Sequence, residues 1–217
     1  MSSPAAAGMY TRPRHVQAGW YLAGKGLIMN RVIVIQFITL DGVVEDPDGS
    51  DGTPAGGWAF RFGPEAVAGD KFRLGPRLDT GAILVGRRTW ELFAKIWPGR
   101  TDDFLAKLNA APKLVASRTL TDVSAWANST LIEGSLSEEV VRQRNDRDVI
   151  VMGSLGVAHH LMREDLVDEY RLLIFPTVLG AGRRLFDAPG ARSGNLTLTS
   201  VAQSGAAALL YFENAGQ

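Results

Sequence analysis

One stretch, residues 83–93, constrains the fold of this chain more than any other. Its first three residues are apolar and β-favouring, as in a short buried strand, and Gly86 permits a tight turn where that strand ends. Trp90, Phe93 and Ile96 then recur at helical spacing. The sequence therefore predicts a strand that ends in a glycine turn and leads directly into a helix.

The first turn of that helix has the composition of an anion-binding site. It is opened by Arg87, Arg88 and Thr89, where free backbone N–H groups and the positive end of the helix dipole attract negative charge. Two guanidinium groups at such a position favour a phosphate. An ordinary strand–helix junction with solvated arginines explains these residues equally well.

Composition excludes several classes of function. The 217 residues include no cysteine, so disulfides, thiol catalysis and cysteine-based metal sites are excluded. Two of the three histidines are adjacent, and neighbours on a helix point about 100° apart, so we expect no bound metal. Basic and acidic residues balance at 23 each, which points to neither nucleic acid nor an anionic membrane as a partner.

The N-terminal residues differ in character from the rest of the chain. Residues 1–28 contain Arg12, Arg14 and Lys25 but no acidic residue, and they lack the continuous apolar core of a secretory signal. We predict that they form a largely disordered leader or an upstream-start extension, and that residues 29–217 form a single domain. No run approaches the ~20 apolar residues that cross a membrane, and we expect a cytoplasmic protein.

Along the chain, strands and helices alternate until only strands remain. Strands are predicted at 32–38, 113–116, 130–132, 148–152 and 168–175, followed by a hairpin of 196–202 and 207–212. Helices are predicted at 64–78, from a cap at Thr101 to residue 109, from a cap at Ser135 to about residue 146, and at 155–164. The intervening loop 43–57 is long, and such loops are often functional. This order predicts an α/β fold with a mainly parallel sheet and an antiparallel C-terminal edge.

Three of the predicted strands are followed by turns of similar composition, rich in glycine, serine, threonine and arginine. The strand ending at Gly86 leads into Arg87–Thr89, the strand 113–116 leads into Ser117-Arg118-Thr119, and the strand 148–152 leads into Gly153-Ser154-Leu155-Gly156. In open α/β sheets, ligands bind outside the carboxyl ends of the strands. Glycines allow the backbone to approach a pyrophosphate closely. The three turns could therefore hold one extended polyphosphate ligand.

These segments resemble the NADPH-binding segments of dihydrofolate reductases, in the same order and at similar spacing. The resemblance is carried by Val85–Trp90, Lys113–Arg118 and Val149–Val157. Two further segments, Ile38–Gly42 and Phe175–Phe186 with its Pro-x-x-x-Gly-x-Gly-x-x-x-Phe pattern, are similar to a narrower branch. That branch is the reductase domain of the bifunctional riboflavin-biosynthesis deaminase-reductase, together with its stand-alone bacterial relatives.

The resemblance, which extends over roughly residues 29–213, implies a fold, a cofactor and a set of binding residues. The implied fold is a dihydrofolate reductase-like three-layer sandwich, whose largely parallel sheet of about eight strands is flanked by helices. The implied cofactor is NADPH, with its adenosine 2′-phosphate held by the turn that follows strand 113–116. The implied cofactor-binding residues are Thr39, Gly86, Arg87, Arg88, Thr89, Ser117, Arg118, Gly153, Ser154, Leu155, Gly156 and Val157.

The substrate side of the resemblance is weaker. Dihydrofolate reductases carry an acid on the first helix that hydrogen-bonds the pterin, and here neither Glu65 nor Asp70 falls at the matching offset from Trp58. We take Asp41 and Glu65 as catalytic candidates. The structural alternatives are a turn residue before a glycine for Asp41 and a helix N-terminal charge for Glu65.

The resemblance implies an NADPH-dependent reductase, similar to phosphoribosylaminouracil reductases. Its small-molecule substrate would be a ribosylaminopyrimidine, a pteridine, or another small imine or carbonyl compound, and the protein could form a homodimer. Three alternatives stay open at this stage: a dihydrofolate reductase proper, a non-catalytic NADP(H)-binding protein, and a structural module whose arginines are solvated.

Overall fold

Eight strands and six α-helices are defined within residues 30–68, 72–190 and 194–215, which the computed structural model describes. The strands are β1 Val32–Thr39, β2 Ala82–Gly86, β3 Lys113–Ala116, β4 Ser129–Leu131, β5 Val149–Met152, β6 Glu169–Phe175, β7 Leu196–Ser204 and β8 Ala207–Asn214. The helices are α1 Pro64–Ala68, α2 Pro76–Thr80, α3 Arg87–Ile96, α4 Asp103–Ala110, α5 Leu136–Asp146 and α6 Leu155–Arg163, with a 3-10 turn at Ala59–Phe62. The predicted leader, residues 1–28, lies outside the described residues.

All eight strands pair in one sheet, in the order β4-β3-β2-β5-β1-β6-β8-β7. Pairing is parallel from β4 through β6, whereas β8 runs antiparallel to β6, and β7 runs antiparallel to β8. The central strands β1, β2 and β5 are apolar and buried along most of their length, as expected for parallel strands that helices cover. The predicted α/β fold class, with its antiparallel C-terminal edge, is confirmed.

Apolar side chains form a layer on each side of this sheet. From β1, Val34 and Ile38 belong to a core cluster that includes residues of α5 and α6. Ile33 and Ile35 point the other way, into a second cluster that contains Trp90 of α3. A third cluster lies towards the antiparallel edge, where Trp58, Ala59 and Ala66 pack against residues of β6 and β8.

Two predicted helices differ from the structure. The helix expected at 64–78 is instead two five-residue helices, α1 and α2. Phe72 and Arg73 between them have positive φ angles, 57° and 44°, and Pro76, which cannot continue a preceding helix, begins α2. The cap expected at Thr101 is one residue late in the structure: the side chain of Asp102 accepts the N–H of Leu105.

The remaining predicted elements are confirmed to within about two residues, which is the usual scatter of element boundaries. Ser135 caps α5 as expected, because its hydroxyl accepts the N–H of Glu138. No helix in the described ranges is long and apolar enough to cross a bilayer.

Candidate active site

The sheet brings the three predicted turns to one edge. Strand β2 lies between β3 and β5, so the turns that follow these strands are neighbours. A direct contact joins two of the turns: Arg87 Nη1 donates to Thr119 Oγ1 at 3.1 Å. Ser117 shapes its own turn, since its hydroxyl accepts the N–H groups of Thr119 and Leu120. Arg118, in the same turn, is exposed.

Ser154 joins the second pair of turns. Its hydroxyl accepts the N–H of Gly86 at 2.7 Å and donates to the hydroxyl of Thr89 at 2.8 Å. The Ser154 side chain thereby links the turn after β5 to the turn after β2. Gly153 keeps the left-handed backbone that a glycine favours, with φ at 64°. The turns after β2 and β5 are therefore held together by side-chain hydrogen bonds as well as by the pairing of their strands.

A cleft of about 1210 Å³ opens at this edge. That volume exceeds the roughly 300–1,000 Å³ of a site for one small ligand, and it suits a dinucleotide together with a substrate. One part of the cleft is lined by Gly86–Thr89 and Gly153–Val157, and another part by residues of the long loop and of the segment 60–72. Ser117 and Arg118 are not among the described lining residues and lie beside the cleft, next to Arg87.

The long loop 43–57 is organised around Asp46. The Asp46 carboxylate is buried and accepts the N–H of Asp51 at 2.9 Å, and both the N–H and the hydroxyl of Thr53 at 2.8 Å. Burial opposes ionisation of Asp46, but these hydrogen bonds outweigh it, so the pKa of Asp46 is lowered. The indole of Trp58 fixes the loop further by donating to the carbonyl of Glu45. The loop is thus a defined wall of the cleft.

Asp41 holds a second turn in place. Its carboxylate accepts the hydroxyl of Thr39 at 2.6 Å and the N–H groups of Leu179 and Gly180. The Thr39 hydroxyl is the main cause that lowers the pKa of Asp41 to about 2, and the two N–H groups add to it. A carboxyl group with this pKa is ionised at neutral pH and has no proton to donate there.

Glu65 lies at the exposed start of α1 and is not itself among the described residues that line the cleft, although Pro64 and Val67 of the same helix are. Its carbonyl accepts the hydroxyl of Ser204, and this helix packs against the turn of the β7–β8 hairpin beside Gly205. Asp41 is likewise absent from the described lining. Of the predicted cofactor-binding residues, Gly86–Thr89 and Gly153–Val157 line the cleft and Ser117 and Arg118 lie beside it. Thr39 is buried and, like both carboxylate candidates, is not among the described lining residues.

One residue of the cleft had no role in the sequence-based prediction. Gln36 lies on β1, directly after Ile35, the last β1 residue that pairs with β5. It lines the cleft and is only 5 % exposed. Its amide has no hydrogen bond within the described residues. The only signal in the sequence was a polar residue inside the otherwise apolar run 32–38. The meaning of that residue depends on where β1 and β5 cease to pair, which only the structure shows.

No group of three or more potential metal ligands occurs among the described residues. The site consists of backbone donors, arginines, hydroxyls and one amide, which suits an organic anion better than a metal ion.

The sequence profile of the RibD C-terminal domain matches residues 30–210. The chain belongs to this family. The chain is also similar to the uncharacterized protein YyaP of Bacillus subtilis. The two are 29% identical over 167 residues, which cover 74% of this chain and 82% of that protein. Membership in the RibD C-terminal domain family confirms the resemblance to the riboflavin-biosynthesis branch.

Solved structures with the same fold include several proteins named for riboflavin or pyrimidine chemistry. A putative riboflavin biosynthesis protein from Shewanella sp. PV-4 superposes with a TM-score of 0.66 at 17% identity, covering 86% of this chain and 99% of that one. A pyrimidine reductase-like protein from Corynebacterium diphtheriae gives 0.61 at 12% identity, covering 87% and 93%. RibD of Acinetobacter baumannii gives 0.58 at 17% identity, covering 87% of this chain and 59% of that longer one. At these identities the superpositions establish the shared fold.

Within this RibD C-terminal domain, the role of Asp41 can be tested through pH. The pKa of Asp41 in the folded protein, about 2, lies below its ordinary value of 3.8. The carboxylate therefore stabilises the fold above about pH 4, and that contribution is lost as the pH falls towards 2. We expect Asp41→Asn to be less stable than the wild type at neutral pH, with the difference shrinking in acid. Denaturant unfolding across a pH series measures this, and a difference that stays constant down to about pH 2 would contradict the assignment.

Proposed function

We propose that this protein is an NADPH-dependent reductase that transfers a hydride to a small heterocyclic substrate. The observation that carries the proposal is the meeting of three strand-end turns at one edge of a large cleft, joined by the Arg87–Thr119 and Gly86–Ser154–Thr89 hydrogen bonds. Family membership supports reductase chemistry of the riboflavin-biosynthesis type.

The residues of the cleft fit a dinucleotide. Arg87 and Arg88 form no ion pair with a carboxylate among the described residues, so their charges are available to phosphates. Helices α3 and α6, of 10 and 9 residues, both begin at this edge and direct free N–H groups into it. A side chain at Gly156 would meet nothing within 4 Å, which leaves room for close approach to the backbone.

The chain's contribution to the reaction is binding, orientation and exclusion of water. Bound NADPH would supply the hydride, as nicotinamide cofactors do. Ser117 and Arg118, together with Arg87, would hold the adenosine 2′-phosphate. Since Asp41 is held ionised, and neither Asp41 nor Glu65 lies in the described lining, water in the cleft is the source of the proton in this proposal.

The position of these two carboxylates also favours a second candidate, a non-catalytic NADP(H)-binding protein. Oxidation of NADPH in the presence of pteridines, ribosylaminopyrimidines and small carbonyl compounds separates the two functions. Turnover with any of these compounds identifies an enzyme. Tight binding of NADPH without its oxidation in the presence of any of these compounds supports the binding protein.

Both candidates require that NADPH stabilises the folded state. At NADPH concentrations of ~100 times its dissociation constant, the free energy of unfolding should rise by about 2.7 kcal/mol, because only the folded protein binds. Thermal unfolding with and without NADPH measures this effect. Lack of any shift in millimolar NADPH would eliminate both candidates.

A further inference from the structure

The cleft carries opposite charges along its two parts, and this division bears on the substrate. The part near the turns of β2 and β5 is lined by four basic residues of α3 and the segment after it and by two acidic ones, so it carries a net positive charge: Arg87, Arg88, Lys95 and Arg100, with Glu91 and Asp102. The part formed by the long loop is lined by Glu45, Asp46, Asp48 and Asp51. Anions are attracted to the first part and repelled from the second.

The negative charge of the loop is largely uncompensated. Glu45 is neutralised by Arg183, with Arg183 Nε and Glu45 Oε1 2.6 Å apart. In contrast, Asp46, Asp48 and Asp51 form no ion pair with any described residue. Hydrogen bonds lower the pKa of Asp46, so it stays ionised at neutral pH. The carboxylates of Asp46 and Asp48 accept hydrogen bonds within the loop itself, yet hydrogen bonds do not cancel their charge, so this part of the cleft carries a net negative charge.

Gln36 supplies the second, independent observation. Its side chain lines the cleft, is only 5 % exposed and has no hydrogen bond within the described residues. An amide in such a place needs water or a ligand in the cleft as its partner. The amide offers one acceptor and two donors, which complement an N–H group next to a carbonyl or ring nitrogen.

Apolar rings complete this part of the cleft. Phe37, Phe60 and Phe72 line it together with Val67. Phe37 and Phe72 are stacked, with their ring centroids 5.6 Å apart. Flat apolar walls around a few placed polar groups are typical of sites for planar ring systems.

Resting on the proposed reductase function, we infer that the substrate is an unphosphorylated planar heterocycle, neutral or cationic, whose amide-like edge pairs with Gln36. A phosphate on this substrate would meet the net negative charge of the loop, because Arg183, which also lines this part, is already paired with Glu45. In the reaction a C–H bond forms at the carbon of a C=N group with the hydride of NADPH. The nitrogen takes one proton from water, and NADP⁺ leaves as the oxidised product.

A matched pair of probes tests the inference: a ribosylaminouracil and its 5′-phosphate ester, each titrated into the NADP⁺-saturated protein. We expect the unphosphorylated compound to bind about tenfold or more tightly than its ester, because of the repulsion from the loop. Tighter binding of the ester overturns the inference, and so does failure of both compounds to bind at millimolar concentration while NADPH binds. If NADPH itself does not bind, the proposed function fails.

The double variant D48N/D51N isolates the charge of the loop. Both side chains are exposed, and asparagine can still accept the bonds that Ser50 donates to Asp48. We expect the preference against the ester to shrink several-fold in this variant, because the ester binds more tightly once the charge of the loop is reduced. Asp122 is the matched control, because it accepts bonds from Ser124 in the same local arrangement outside the cleft. An equal change in D122N would overturn the inference.

Gln36→Leu tests the amide. The variant should bind the unphosphorylated probe about 10- to 100-fold more weakly, because the polar edge of the probe is left unpaired. The melting temperature of the ligand-free variant should not fall, since no bond within the described chain is removed. Gln203→Leu, on the exposed hairpin, is the control. Unchanged probe binding in Q36L, or a melting temperature that falls with no change in binding, would overturn the role of Gln36.

Discussion

Arg118→Ala is expected to weaken NADPH binding about 10- to 100-fold, because a hydrogen bond to a charged group contributes roughly 1.5–3 kcal/mol. NADH lacks the 2′-phosphate, so its affinity should barely change. Arg118 is exposed and has no ion pair among the described residues, so the fold does not depend on it. Titration calorimetry with each cofactor measures the two affinities directly.

Arg87 gives a companion result for the same phosphate. Its guanidinium already contacts the 117–119 turn through Thr119, so Arg87→Ala should also weaken NADPH more than NADH. Arg142 is the control: it is exposed on α5, pairs with Glu139 and lies outside the cleft. Equal losses of NADPH and NADH affinity in Arg118→Ala would refute the assignment of the 2′-phosphate to this turn.

Arg171→Met is expected to destabilise the protein by about 3–5 kcal/mol, the usual cost of removing one partner from a buried ion pair. Arg171 Nε lies 2.6 Å from Glu169 Oε1, and both side chains are buried. Arg31 completes the network around Glu169, with Arg31 Nη1 3.0 Å from Glu169 Oε2, and because this pair remains, the cost should lie near the low end of that range. The other arm of Arg171 donates to the carbonyls of Phe72 and Arg73, at 2.8 and 2.7 Å. The same substitution should therefore loosen the Phe72 wall of the cleft. Denaturant unfolding measures the stability, and heterocycle binding reports on the wall.

A surface ion pair provides the comparison. Arg142→Met removes an exposed partner of Glu139 and should cost no more than ~1 kcal/mol. Arg171→Met should cost several times more. Similar losses in the two variants would show that the network around Glu169 does not stabilise the fold as described.

The parts of the fold that depend on neighbouring residues could be predicted from the sequence. The strand–turn–helix junction at 82–96 is encoded by an apolar run, one glycine and helical spacing, all within a few residues. The cap at Ser135 and the closing hairpin are equally local. The prediction of one helix at 64–78 was wrong because the carbonyls of Phe72 and Arg73 accept hydrogen bonds from Arg171, which is about 100 residues away along the chain.

The candidate site shows the same limit. General rules for parallel sheets predict that the turns after β2, β3 and β5 lie at the same edge, and the sequence shows the composition of these turns. The bonds that join the turns were not predictable, because Ser154 reaches Gly86 and Arg87 reaches Thr119 only once the strand order is known. The role proposed for Gln36 likewise depends on its place just past the last β1–β5 pair.

A crystal structure of the protein with NADPH is the most direct test of the central claim, that the meeting turns form a site for this dinucleotide. We predict the pyrophosphate between Arg87–Thr89 and Gly153–Val157, the 2′-phosphate within hydrogen-bonding distance of Arg118 and Arg87, and the nicotinamide towards Gln36. A dinucleotide bound elsewhere, or one whose 2′-phosphate lies away from both arginines, would contradict the claim.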